Sequence, residues 1–370
     1  MNPLLELKKA GQSVWLDFIT REFMAEGKLT KLIAEDGLCG VTSNPTIFQK
    51  AITGGKEYDE TITRLIREGK NSNQVFDVLA IEDIQRACDL FRSVFDRTQG
   101  ADGYVSLEVN PHLARDTQGT LEEARRLFKA VGCPNVMIKI PATKEGLPAI
   151  EQALGEGINI NITLIFALAR YQEVIEAWLA GLERLAKSGK PLASVASVAS
   201  FFVSRVDVMV DGRLEKQKPA GYESLLGKAA IANARLAYAM FLKMKSTPRF
   251  QTLAAKGARA QRPLWASTST KNPKYRDVIY VEELIGAETV NTLPLATVDA
   301  ARDHAHVRAA LPGDVGAAEK VIQDLAKAGI SIDDVTRQLE EDGLKLFSAS
   351  YDDLIKGLEQ KHEALKAGAR

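Results

Sequence analysis

Short apolar runs rich in β-branched residues recur along the chain at 14–19, 40–44, 104–109, 136–141, 158–163, 195–203, 263–268 and 289–293. Between them, apolar residues return at helical spacing. Ile84, Cys88, Phe91 and Phe95 share one helix face, as do Leu121, Ala124, Phe128 and Val131, and then Leu168, Tyr171, Ile175, Trp178, Leu182 and Leu185. Thr120-Leu-Glu-Glu reads as a capping box opening the second of these helices, with Thr120 capping and Glu123 reaching back. Strands alternating with helices predict parallel βαβ units, because parallel neighbours need a crossover and a helix supplies it. Eight strands is the number that closes a (β/α)8 TIM barrel. The expected fold class is therefore α/β, with the barrel preferred to an open doubly wound sheet. No GxGxxG follows an early strand, so the usual dinucleotide mark of the open sheet is missing.

After about residue 311 the strands stop. Residues 315–328, then Ser331-Ile-Asp-Asp with Val335 and Leu339, then Ser350-Tyr-Asp-Asp with Leu354 and Leu358, predict helices, Ser331 and Ser350 acting as N-caps with acids in the first turn. The expectation is a single domain over 1–370 in which 312–370 is a helical extension packed on the barrel. The polar, glycine-punctuated stretch 212–227 reads as an inserted loop or lid.

Charge narrows the partners. Lys+Arg and Asp+Glu both number 48, so no net attraction to nucleic acid or an anionic membrane is expected, and a charged ligand must be held by a local cluster. The three cysteines, Cys39, Cys88 and Cys133, are odd in number and lack CxxC spacing. They predict neither a disulfide framework nor a zinc site and suit a cytoplasmic, reducing compartment. The first residues do not read as a signal peptide, and no run approaches the roughly 18 apolar residues of a membrane span. The four histidines show no ligand spacing, and there is no Ser-His-Asp pattern or P-loop. No metal and no cofactor are expected.

The chemistry-bearing residues sit in the strand patterns. Lys139 lies inside the apolar run Val-Met-Ile-Lys-Ile-Pro. An ammonium in a barrel interior is costly unless paired or neutral, and desolvation frees the amine to attack a carbonyl. The competing reading is a lysine that snorkels to the surface. Asp17 interrupts VWLDFI, Glu108 ends VSLE, and Asn161 and Thr163 lie in INIT. Either carboxylate offers a partner for the lysine or an acid/base for Schiff-base chemistry, with Thr163 holding a water; bracing hydrogen bonds are the plainer alternative. Asn44, in Thr42-Ser-Asn-Pro-Thr, is also ordinary turn chemistry. Arg205 after Ser200-Phe-Phe-Val-Ser, and Lys271 behind a run of hydroxyls, are candidate phosphate cations, though each alone suits a surface ion pair.

Taken in order, Gly40-Val-Thr-Ser-Asn-Pro-Thr, Val136-Met-Ile-Lys-Ile-Pro-Ala-Thr-Lys-Glu-Gly, Gly157-Ile-Asn-Ile-Asn-Ile-Thr-Leu-Ile-Phe and Ser200-Phe-Phe-Val-Ser-Arg-Val-Asp resemble transaldolases, over roughly residues 14–299. The resemblance implies transfer of a dihydroxyacetone unit from sedoheptulose 7-phosphate to glyceraldehyde 3-phosphate in the pentose phosphate pathway, giving erythrose 4-phosphate and fructose 6-phosphate. It places the Schiff base on Lys139, acid/base work on Glu108 with a water near Thr163, and proton handling at the donor hydroxyls on Asp17. Asn44 and Asn161 match donor-binding positions, and Thr42 joins them from the same motif. Ser200 and Arg205 match substrate- and phosphate-binding positions. Where short relatives carry Ser-Phe-Arg-Asn this chain has Ser269-Thr-Lys271-Asn, so Lys271 keeps the cation while the aligned serine is Ser269 or Ser267. Stretch 212–227 and the tail resemble the longer bacterial subfamily. Sugar phosphates are the expected partners of a monomer or homodimer. One alternative is a fructose-6-phosphate aldolase, whose members resemble a shorter chain lacking the carboxylate of Glu108. The other is a sugar-phosphate barrel without Schiff-base chemistry, where Lys139 pairs with Asp17 or Glu108.

Overall fold

The apolar runs become eight strands in a computed structural model that describes residues 2–368. They are β1 (Gln12–Leu16), β2 (Gly40–Thr42), β3 (Tyr104–Glu108), β4 (Val136–Pro141), β5 (Ile160–Ile165), β6 (Ser197–Phe202), β7 (Arg262–Ala266) and β8 (Thr289–Leu293). Each pairs in parallel with the next and β8 returns to β1, closing the expected barrel. Strand edges vanish on closure, and the helices between strands cover the outside. Met1, Ala369 and Arg370, at the ends of the stretch read as one domain, lie outside the described residues.

Register sets the active layer. Glu108 stands opposite Lys139, and Lys139 opposite Asn161, so one layer crosses β3, β4 and β5 with a carboxylate, an amine and an amide side by side. Between Ile162 and Ile165 the β5–β6 register shifts, and Leu164 takes a left-handed backbone with φ 59°. A bulge of this kind re-aims neighbouring side chains. At the opposite end of the barrel Asp102 gathers the hydroxyl of Ser13, the indole of Trp15 and the guanidinium of Arg262. Gly40 is required beside them, because a Cβ there would stand 2.7 Å from the Trp15 ring and from the Tyr104 carbonyl.

Several local expectations change. Thr120 does not cap a helix: the helix is Thr117–Val131, Asp116 caps it, and the Thr120 hydroxyl donates to the Leu113 carbonyl from within. Asp116 accepts more strongly than a threonine one turn later, and Glu123 pairs with Arg126 instead of reaching back. Ser331 does accept from the Asp334 amide, at 3.2 Å, where the last helix begins. Ser350 starts nothing, because Ile332–Gly368 is one helix. Its buried stripe of Val335, Leu339, Phe347, Tyr351, Leu354 and Leu358 continues through Ser350 without a break, and burial of that stripe outweighs a cap signal. The stretch 212–227 is neither wholly loop nor a lid. The helix Ser204–Gln217 takes up its first part, and Gly227 and Tyr275 both donate to Asp211, which folds the remainder against the outer ring.

The last helix lies across the end of the barrel where Lys139 emerges. It is tied by Arg115 to Glu341, His112 to Asp352 and Lys361 to Asp59, with Tyr351 donating to Asn73. No helix among the described residues is long and apolar enough to cross a membrane.

Candidate active site

Lys139 is 5% exposed and is not alone. Its ammonium donates to the Ser43 carbonyl at 3.1 Å and stands 3.4 Å from Glu108 Oε2. Parallel pairing puts Glu108 there: it is the last residue of β3, directly opposite Lys139 on β4. The surface-snorkelling alternative fails, because the side chain points inward and is covered by Phe347, whose ring centroid is 5.8 Å from Nζ. Burial pushes the Glu108 carboxyl up to about 7, opposed by the charge of Lys139 and reinforced by that of Asp17. A carboxyl poised there exchanges protons readily at neutral pH.

A cavity of about 600 Å³ opens above this layer. Asp17, Thr42, Asn44, Lys139, Thr163, Ser200, Arg205, Ser269 and Lys271 all line it. Residues spread over the whole chain thus meet because each lies in the C-terminal half of a barrel strand or in the segment that follows it. Thr42 donates to Asp17 at 2.6 Å and is itself 2.7 Å from the Thr292 hydroxyl, a chain that fixes the carboxylate. Burial raises the Asp17 pKa, while Lys139, Thr42 and Arg205 pull it back. Thr163 is fully buried and its hydroxyl has no hydrogen-bond partner among the described residues. A buried, unpartnered hydroxyl lining the cavity is a place for a water to bind.

Two of the predicted residues stand differently. Glu108 borders a small neighbouring cavity lined also by Ser43, Asn44, Phe48 and Tyr351, and meets the larger one through Lys139. Asn161 does not line the cavity. It lies below, donating to Ser106 and accepting from Ser200 at 2.7 Å, so it orients Ser200. Asn44 has both of the sequence readings at once: it lines the cavity, and its side-chain oxygen caps the helix Pro45–Gly54.

Part of the cavity wall is cationic. The Arg205 guanidinium sits 5.2 Å from the Phe202 ring centroid, and Lys271 donates to Ser269 at 2.7 Å. Neither forms an ion pair among the described residues. Burial lowers the pKa of both, and Arg205 lowers that of Lys271 further, so an anion between them would relieve the repulsion. Both candidate serines line the cavity, Ser267 with a left-handed backbone (φ 55°) and a 3.0 Å contact to Ser204.

The family model described as "Transaldolase/Fructose-6-phosphate aldolase" matches residues 14–358. The chain belongs to the transaldolase/fructose-6-phosphate aldolase family. Curated relatives named "Transaldolase" include one from Acidothermus cellulolyticus, 50% identical over 95% of both chains, and one from Mycobacterium leprae, 45% identical over 98% of both. A "Transaldolase 2" from Nostoc sp. is 44% identical over 99% of both. The match includes residues up to 358, so most of the long last helix falls inside the family region.

Sequence reasoning missed Thr292, Lys50, Phe347 and Ser350, all of which line the cavity. Thr292 had a signal, since Val-Asn-Thr places two polar residues in a buried strand. Phe347 had none: in sequence it is one more apolar residue of an amphipathic helix.

Proposed function

We propose that this enzyme is a transaldolase, a transferase of the non-oxidative pentose phosphate pathway, moving a dihydroxyacetone unit from sedoheptulose 7-phosphate to glyceraldehyde 3-phosphate through a Schiff base on Lys139. The observation that carries the reading is the Lys139–Glu108 pair at 3.4 Å, buried in a barrel beside a cavity whose wall also carries the cations Arg205 and Lys271. The pair supplies amine and acid/base together, and the cations supply a phosphate anchor. Lys139 Nζ adds to the ketose carbonyl carbon, and a proton delivered from Glu108 through a water held by Thr163 lets the oxygen leave as water. Asp17 then accepts the proton of the C4 hydroxyl as the C3–C4 bond breaks, and the aldose phosphate departs. The electrons of that bond remain on the three-carbon unit as an enamine. The enamine carbon attacks the aldehyde carbon of the acceptor, whose oxygen takes the proton back from Asp17, and water hydrolyses the new imine.

Glu108 also bears on the aldolase alternative, because the strand carboxylate is the residue that sets transaldolases apart in the sequence comparison above. The relatives' names agree with this choice. A barrel that uses Lys139 only as an ion-pair partner is the third reading. Borohydride reduction with fructose 6-phosphate separates it: one stable three-carbon adduct is expected on Lys139 by mass spectrometry, with none in Lys139→Ala. An adduct elsewhere, or none, overturns the assignment.

A further inference from the structure

The cavity has a roof that no strand provides. Phe347, 5% exposed, projects from the last helix to within 5.8 Å of the Lys139 nitrogen, and Ser350 one turn later accepts a hydrogen bond from Thr46 at 2.8 Å. One turn earlier stands Gly343. A Cβ there would lie 3.0 Å from the end of the Leu164 side chain, closer than ordinary contacts. Leu164 is the left-handed residue of the β5 bulge, immediately after Thr163. With no side chain at 343, the helix can approach the Leu164 side chain this closely, on the stretch that carries Phe347 one turn later.

We propose that Phe347, seated by the Gly343–Leu164 contact, is a specificity-determining residue that keeps water from the three-carbon intermediate, so that the unit is transferred instead of released. The inference rests on the Schiff-base reading above. Release of free dihydroxyacetone needs one proton at the enamine carbon and one water at the imine carbon: the C–N bond to Lys139 breaks, the water oxygen becomes the ketone oxygen, and the lysine leaves as an ammonium. Transfer needs neither until the acceptor has bound. A buried ring beside the nitrogen takes up volume that such a water would otherwise occupy. Glu108 reaches the nitrogen from the neighbouring strand, so proton delivery to it does not depend on the face that the ring covers.

The test measures two rates with fructose 6-phosphate as donor: free dihydroxyacetone formed without acceptor, and transfer to erythrose 4-phosphate. In Phe347→Ala the ratio of release to transfer is expected to rise at least about tenfold, because the loss of one side chain opens space for water. Gly343→Leu, which lifts the helix while keeping the ring, is expected to raise it in the same direction. Phe347→Leu, which restores apolar bulk, is expected to bring the ratio back to within about threefold of the parent. A ratio unchanged in both Phe347→Ala and Gly343→Leu, or release and transfer falling together in proportion, overturns the proposal. Borohydride trapping is run in parallel on each variant. Failure of the unaltered enzyme to form the Lys139 adduct would overturn the Schiff-base reading, whereas an adduct with an unmoved ratio overturns only the role of Phe347. Should Phe347→Ala not fold, the Gly343→Leu and Phe347→Leu pair decides the question.

Discussion

Glu108 and Lys139 face each other across neighbouring strands with side chains 5% and 6% exposed, so neither charge has water as its main partner. Their coupling gives the first prediction. With the carboxyl held up to about 7, kcat/KM should bend at an apparent pKa near that value. Glu108→Gln should lose the bend and lower kcat by about 10²–10⁴-fold, the usual worth of a general acid/base. A variant with an unaltered pH profile would remove Glu108 from proton transfer.

The same group leaves a stability signature. The folded carboxyl titrates near 7, above its ordinary value of 4.5. The fold therefore retains a proton that the unfolded chain gives up, and stability from this group is full below about 4.5 and is lost as pH rises through about 7. Urea midpoints measured from pH 4 to 8 should decline less steeply in Glu108→Gln than in the parent. Parallel curves would contradict the assignment.

Asp17 is aimed by Thr42, which is in turn held by Thr292. Asp17→Asn should reduce kcat by two or more orders of magnitude with a small change in KM, since it acts on the reacting hydroxyl. Thr42→Val should cost about tenfold, and combining it with Asp17→Asn should add almost nothing, because both changes disable one device.

For the cationic wall, Arg205→Ala or Lys271→Ala should raise KM for glyceraldehyde 3-phosphate at least tenfold, about 1.4 kcal/mol, while leaving turnover of unphosphorylated glyceraldehyde close to the parent. Arg205 should matter more, because a guanidinium grips phosphate with two parallel bonds. Equal losses with both acceptors would place these residues outside phosphate binding.

At the other end of the barrel Asp102 serves three donors and touches nothing in the cavity. Asp102→Ala should cost about 3–5 kcal/mol in urea unfolding, since it breaks the ion pair with Arg262 and leaves the buried Trp15 indole without its acceptor. kcat and KM should hold where the protein is folded. This separation of function and support between the two faces is a property of barrels.

Much of this arrangement was legible from residue order. Lys139 stands out because an ionisable residue in an apolar strand is expensive, Asp17 and Glu108 for the same reason, and Thr163 as a hydroxyl in a buried strand pattern. The count of eight strands favours closure over an open sheet, and closure, which the structure shows, brings all strand ends together. What could not be read was the contribution of packing between distant segments. The Thr120 and Ser350 motifs look like caps locally, yet a stronger neighbouring acceptor displaced one and an unbroken buried stripe overrode the other. Asn161 beneath the cavity and Thr163 within it share one strand face two residues apart, and how deep the cavity reaches between them is not encoded in strand patterning. Phe347 required knowing where a helix from the far end of the chain comes to rest.

That helix has a consequence for biosynthesis. Lys139 lies in the first half of the chain and Phe347 close to its end, so the amine is translated long before the ring above it. A nascent chain on the ribosome can complete β4 and expose the lysine, but β8 must close on β1 and the last helix must leave the exit tunnel before the nucleophile is enclosed. Enclosure therefore waits for the last helix, and chains interrupted before residue 332 would present an uncovered amine to the aldehydes of the cell.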